Sequence, residues 1–137
     1  MRVSGVLETC VYATDLDAAE RFYADVIGLE VYGREAGRHV FFRCGAAMFL
    51  IFDPRRTSEP GAGSPRSIVV PPHGAHGAGH VAFRVDESAL PKWLERLTTA
   101  GVTIEAEIDW PGGGRSIYIR DPAGNSVELA SPAIWGL

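Results

Sequence analysis

The chain repeats itself, and this constrains its fold more than any other feature of its 137 residues. Residues 6–54 and 79–132 carry the same order of signals on either side of a stretch rich in Pro, Gly and Ser. Each half opens with an alternating run, VLETCVYAT at 6–14 and HVAFRV at 80–85, whose period of two predicts a strand with one packed face. A helix follows in each. In the first half Thr14, with Asp17 three residues on, is placed to cap, and Leu16, Ala19, Phe22, Tyr23, Val26 and Ile27 form an apolar stripe ending at Gly28. In the second half Ser88 is the expected cap and Pro91 falls in the first turn. Leu90, Trp93, Leu94, Leu97 and Ala100 make the stripe that stops at Gly101.

Three strand-like runs follow each glycine: LEVYGRE, RHVFFRC and AMFLIFD, then VTIEAEID, RSIYIRD and NSVELAS. The last two are joined by DPAGN at 121–125, a tight-turn sequence. The reading is therefore an α+β fold of two βαβββ modules in one domain. Module 1 spans about 4–54 and module 2 about 80–132, with a linker or lid at 55–79 in which SIVVP reads as a short edge strand.

A chain of this length buries about two thirds of its unfolded surface without help from disulfides or metal, so any metal would serve function. Thirteen Lys plus Arg against seventeen Asp plus Glu give a net charge of −4. With no basic block, neither nucleic acid nor an anionic membrane is an expected partner. Cys10 and Cys44 lie in apolar runs without paired spacing, the N-terminus has no apolar leader, and no run approaches the roughly 20 apolar residues of a spanning helix. A reduced, cytoplasmic protein is expected.

Strand parity then separates the polar residues. Glu8, Cys10 and Tyr12 share one face of the first strand. His80, Ala82 and Arg84 share a face of the fifth, and Ser126, Glu128 and Ala130 a face of the last. Carboxylates on a half-buried sheet need an ion partner, and Glu, His and Glu are the ligand types of a divalent cation, leaving coordination positions open for catalysis. The alternative is structural: a solvated carboxylate, or one paired with Arg84, Arg115 or Arg120. Tyr118 and Trp110 are either site residues or core. A second set, His73, His76 and His80, sits in a Pro/Gly loop with nothing to set its geometry.

The stretches ATDLDAAERFYADVIGLEV, GHVAFRV and SIYIRDPAGNSVEL, in duplicated βαβββ order, resemble the vicinal oxygen chelate superfamily, which includes glyoxalase I, extradiol dioxygenases, and fosfomycin- and bleomycin-resistance proteins. The resemblance implies two modules curled around a divalent metal, a homodimer, and in many short members a cleft shared by two chains. Carried onto this sequence, it implies that Glu8, His80 and Glu128 are the metal ligands, for Mn, Fe, Ni, Co or Zn. Glyoxalase I has a fourth ligand where this chain has Leu50, which argues against that reaction. Fosfomycin enzymes have Thr where Cys10 stands and a basic residue where the chain has Leu137, which argues against that substrate.

The leading expectation is thus a metal-dependent lyase, isomerase or dioxygenase acting on a small molecule that chelates through oxygens. Glu8, Glu128 and Tyr118 are the candidate catalytic residues, and Cys10, Trp110, Arg115, Ser116 and Tyr118 the candidate substrate contacts. The alternative is a metal-free drug-sequestering protein whose groove is lined by Phe41, Trp110, Tyr118 and Trp135.

Overall fold

In the computed structural model, which describes residues 1–59 and 70–137, the chain divides into two compact units, Met1–Gly77 and Ala78–Leu137. The first contains β1 (Glu8–Tyr12), α1 (Leu16–Arg21), a π-helical continuation (Phe22–Ile27), β2 (Glu30–Glu35), β3 (His39–Cys44), β4 (Ala47–Phe52) and the short α2 (Pro54–Thr57). The second contains β5 (His80–Arg84), a 3-10 turn (Glu87–Ala89), α3 (Leu90–Thr99), β6 (Ala106–Asp109), β7 (Arg115–Arg120), β8 (Ser126–Ala130) and a closing 3-10 turn (Pro132–Trp135). Each is βαβββ, as the duplication predicts. The SIVVP strand falls largely outside the described residues; its last two, Val70 and Pro71, are exposed coil.

Both sheets have one topology. The first runs β1-β4-β3-β2 and the second β5-β8-β7-β6, with the opening strand parallel to the closing one and the other pairs antiparallel. The register extends the repeat to single residues. Glu8 pairs with Met48 as His80 pairs with Ser126, Phe41 with Leu50 as Tyr118 with Glu128, and His39 with Phe52 as Ser116 with Ala130. Positions that carry Glu128, Tyr118 and Ser116 in the second sheet therefore carry Leu50, Phe41 and His39 in the first.

The opposite faces form the cores. In unit 1, Val11, Val40, Phe42, Phe49 and Ile51 are buried along with Leu16 and Ala19 of α1, and the Tyr23 ring packs tilted against Phe49 at a centroid distance of 4.8 Å. In unit 2, Val81, Phe83, Ile117, Ile119, Val127 and Leu129 are buried, as are Leu90 and Leu97 of α3. Each such side chain contributes about 1.5–3 kcal/mol.

Four local expectations are corrected. The cap of α1 is Asp15 rather than Thr14: its side chain accepts from Ala18 N at 2.9 Å, and a carboxylate there also suits the helix dipole. Ser88 does not cap α3, because it lies inside the preceding 3-10 turn and α3 starts without a side-chain cap. The α-helical stripe breaks at Phe22, where wider winding buries Phe22, Tyr23 and Ile27 while Val26 is only half-buried. Both helical stretches end where expected, at Gly28 (φ 87°) and Gly101 (φ 71°), a left-handed conformation that glycine adopts without strain. β6 is shorter than the VTIEAEID run, because Val102 N is taken by Leu97 O at the helix end and strand pairing begins only at Ala106.

Candidate functional site

The outward face of the second sheet gathers most of the polar residues picked out by parity. Glu128 is 5% exposed, an unusual burial for a carboxylate. Ser116, itself 1% exposed, donates to Glu128 Oε1 at 2.5 Å, and Trp110 Nε1 donates to Ser116 Oγ at 2.9 Å. Glu128 Oε2 lies 3.4 Å from His80 Nε2. The His80 ring stacks on Tyr118 at a centroid distance of 6.4 Å. Burial first, and then the neighbouring Glu128 carboxylate, push the Tyr118 phenol above its ordinary value, so it stays a protonated donor at neutral pH.

Two anchors hold this group. Asn125, in the turn between β7 and β8, accepts from Gly79 N through Oδ1 at 2.8 Å and donates from Nδ2 to Asp121 Oδ2 at 2.8 Å. Asp121 Oδ1 in turn accepts from Ala123 N at 2.9 Å and Asn125 N at 2.8 Å. The start of β5, where His80 sits, is thereby tied to the hairpin that carries Glu128. The second anchor is the turn after Trp110, closed by Trp110 N to Gly114 O at 3.0 Å and Gly113 N to Trp110 O at 2.9 Å. Gly114 has φ 84°, and a Cβ there would lie 2.5 Å from Ile134 N, so only glycine fits. Sequence reasoning found the DPAGN turn but not the role of Asp121 and Asn125 in tethering Gly79, a contact 46 positions apart.

Arg115 does not join the cluster. It has the opposite parity to Ser116, and its Nε lies 2.5 Å from Asp109 Oδ1, with Glu107 at 3.9 Å from its Nη2, so its charge is spent on β6 rather than offered to an anion. In unit 1, Glu8 is exposed on β1. The Cys10 thiol donates to Tyr12 Oη at 3.7 Å, and Tyr12 Oη contacts His73 Nδ1 at 2.8 Å. Burial and Cys10 push the Tyr12 phenol up to about 12. The His73 ring packs edge-on against Phe52 at 4.7 Å, so His73 is engaged in unit 1 rather than in a histidine trio. Among the described residues, no group of three or more His, Cys, Asp or Glu is arranged to hold a metal ion; His80 and Glu128 form a pair.

The pair nevertheless fits a cation. His80 Nδ1 lies 3.2 Å from the Ser126 carbonyl oxygen, which can only accept, so the proton of the neutral imidazole resides on Nδ1. In that tautomer Nε2 is unprotonated and faces Glu128 Oε2, whereas a second proton on the ring makes the pair an imidazolium–carboxylate salt bridge. Either that second proton or a metal cation beside both groups satisfies the contact. An imidazole that donates its other N–H to a backbone carbonyl is the usual state of a metal-bound histidine.

The family described as the Glyoxalase/Bleomycin resistance protein/Dioxygenase superfamily matches residues 5–129. Metallothiol transferase FosB of Staphylococcus epidermidis is 25% identical over 132 residues, covering 94% of this chain and 82% of the relative. The crystal structure of lactoylglutathione lyase from Agrobacterium tumefaciens is 43% identical, covers 100% of both chains and superposes with a TM-score of 0.91. A glyoxalase/bleomycin resistance protein/dioxygenase from Nocardioides, 21% identical over 96% of this chain and 85% of its own, shares the fold with a TM-score of 0.72.

Proposed function

Because the chain belongs to the Glyoxalase/Bleomycin resistance protein/Dioxygenase superfamily, we propose that it is a divalent-metal-dependent enzyme acting on a small molecule that binds the metal through oxygens. His80 and Glu128 are two of the ligands, and Glu8, which occupies on β1 the position of His80 on β5, is the third. The observation that carries this reading is the approach of His80 Nε2 to the buried Glu128 carboxylate at 3.4 Å. The bound dication, one of Mn, Fe, Ni, Co or Zn, supplies Lewis acidity towards the substrate oxygens.

The protein's own groups have distinct tasks. Tyr118, kept protonated by burial and by Glu128, donates a hydrogen bond to an oxygen on which negative charge develops. Glu128 is buried and held by Ser116, so it stays in place. Glu8 is exposed, and to act as base it would first have to leave the metal before accepting a proton from substrate. The reaction class is lyase, isomerase or dioxygenase. The name of the 43%-identical protein makes formation and breakdown of lactoylglutathione the first reaction to assay, although Leu50, at the position in unit 1 equivalent to Glu128, offers no oxygen for a fourth ligand. The same reading takes the enzyme as a homodimer, for which sedimentation velocity is the check.

Elemental analysis of untagged protein tests the proposal. About one transition metal per chain is expected, retained by the parent and lost in His80→Ala and in Glu8→Ala. Retention in His80→Ala would overturn the ligand assignment. The aromatic cluster of unit 1, in which His39 stacks on Phe41 at 3.9 Å and Phe41 meets Phe52 at 5.4 Å, favours the second reading, a metal-free sequestering protein. Equal binding of a cationic aromatic drug by chelator-treated and untreated protein would establish it.

A further inference from the structure

We infer that Trp110 and Ser116 are positioning residues that dictate which oxygen of Glu128 faces the cation, rather than contacts to the substrate. This rests on the assignment of His80 and Glu128 as metal ligands. The argument is one of donor and acceptor direction. An indole N–H donates and cannot accept. Trp110 Nε1 lies 2.9 Å from Ser116 Oγ, so Ser116 accepts there. A serine hydroxyl carries a single hydrogen, and with its oxygen engaged by the indole that hydrogen is directed to Glu128 Oε1, 2.5 Å away. The relay therefore has one direction, from Trp110 through Ser116 to Glu128.

Its consequence is asymmetry in the carboxylate. Oε1 accepts from the Ser116 hydroxyl, and Oε2 is the oxygen on the His80 side, with the Tyr118 phenol as a further hydrogen-bond partner of the carboxylate. Ser116 is 1% exposed and Glu128 5%, so water competes poorly for either bond, and the carboxylate is held in one rotation about its last torsion. Trp110 is 39% exposed, so only its indole N–H edge is committed to the relay. Outer hydrogen bonds of this kind change metal affinity by about 10–100-fold when removed. The first sheet lacks the arrangement: His39, Phe41 and Leu50 take the places of Ser116, Tyr118 and Glu128, and no carboxylate is there to orient.

The test compares the parent, Trp110→Phe, Ser116→Ala and the double variant, each titrated with Co(II), Mn(II) and Zn(II) by calorimetry. Trp110→Phe is expected to weaken binding about 10-fold, with Ser116→Ala at least as severe. The double variant should be no weaker than Ser116→Ala, because Trp110 acts only through Ser116. An independent readout needs no metal: the Trp110 indole N–H, identified as the resonance missing from Trp110→Phe, should be protected from solvent exchange in the parent and exposed in Ser116→Ala. Parent-like metal affinity in Trp110→Phe, additive losses in the double variant, or an unprotected indole in the parent would each overturn the relay while leaving the ligand assignment standing. A parent that takes up none of the three metals would overturn the ligand assignment, and the positioning role with it.

Discussion

Asn125 offers a sharp test of what holds the second sheet together. Its side chain accepts from Gly79 N at 2.8 Å and donates to Asp121 Oδ2 at 2.8 Å, and Asn125 and Asp121 are 1% and 4% exposed. Asn125→Ala deletes both bonds. The bond to a neutral backbone N–H is worth about 1 kcal/mol, and the bond to a carboxylate about 1.5–3 kcal/mol. The deletion removes part of the solvation of a buried carboxylate, which keeps the loss near the top of that range, whereas water reaching the exposed Gly79 recovers part of the first term. The expected cost is about 3 kcal/mol, a fall in melting temperature of about 10 °C for a chain of this size. The same change frees the start of β5, so the hydrogen bond from His80 Nδ1 to Ser126 O should weaken and the imidazole should lose its fixed tautomer, visible in its nitrogen chemical shifts. Thermal unfolding followed by circular dichroism is the assay. A variant melting within about 2 °C of the parent would refute the reasoning, since a buried carboxylate cannot lose a buried amide donor at so small a cost.

Three further outcomes are expected. Gly114→Ala should destabilise by more than about 2 kcal/mol, because it adds strain at φ 84° to a Cβ 2.5 Å from Ile134 N, and urea unfolding should show it. Burial first, and Arg38 second, hold the pKa of His39 below its ordinary value, so its contribution to stability is fully present above about pH 6.5 and lost as pH falls through the lowered folded value; the imidazole proton shifts of His39 should titrate below about 6.5. Arg55, bonded at 2.6 Å to Asp53 Oδ2, holds that buried carboxyl below the usual range, so the stability it contributes is present above about pH 4 and lost on further acidification; Asp53→Asn should flatten that limb of the stability–pH curve.

Much of the fold was legible because strand and helix periods are direct consequences of which side faces the core. Alternation in HVAFRV and NSVELA put His80 and Glu128 on the outward face, and the sheet pairs them there. Gly28 and Gly101 mark helix ends because a left-handed residue is needed at both. What escaped depended on three-dimensional neighbours. The spacing of Phe22, Tyr23 and Ile27 fits an α-helix in sequence, and only packing on the sheet selects the wider winding. Asp15 and Thr14 are both good caps, and geometry alone chose the former. Arg115 is instructive in another way, since its parity opposite to Ser116 already placed it away from the candidate site, where Asp109 and Glu107 receive it. The tether from Asn125 to Gly79 left no local signal, because both residues read simply as parts of turns.

The parallel pairing of each opening strand with the closing strand of its own unit carries a consequence for synthesis on the ribosome. β1 has no strand partner until β4 has emerged, and β5 none until β8. Non-local pairing of this kind is slow and comes late, because the intervening loop must close first. The first unit can close on its own pairings while the second is still being translated, as the strand contacts of its sheet all lie within residues 8–52. His80 and Glu128 stand on the two strands that meet last. Their juxtaposition therefore arises only after β8 has been synthesised, and a translation product truncated before β8 would carry His80 without Glu128.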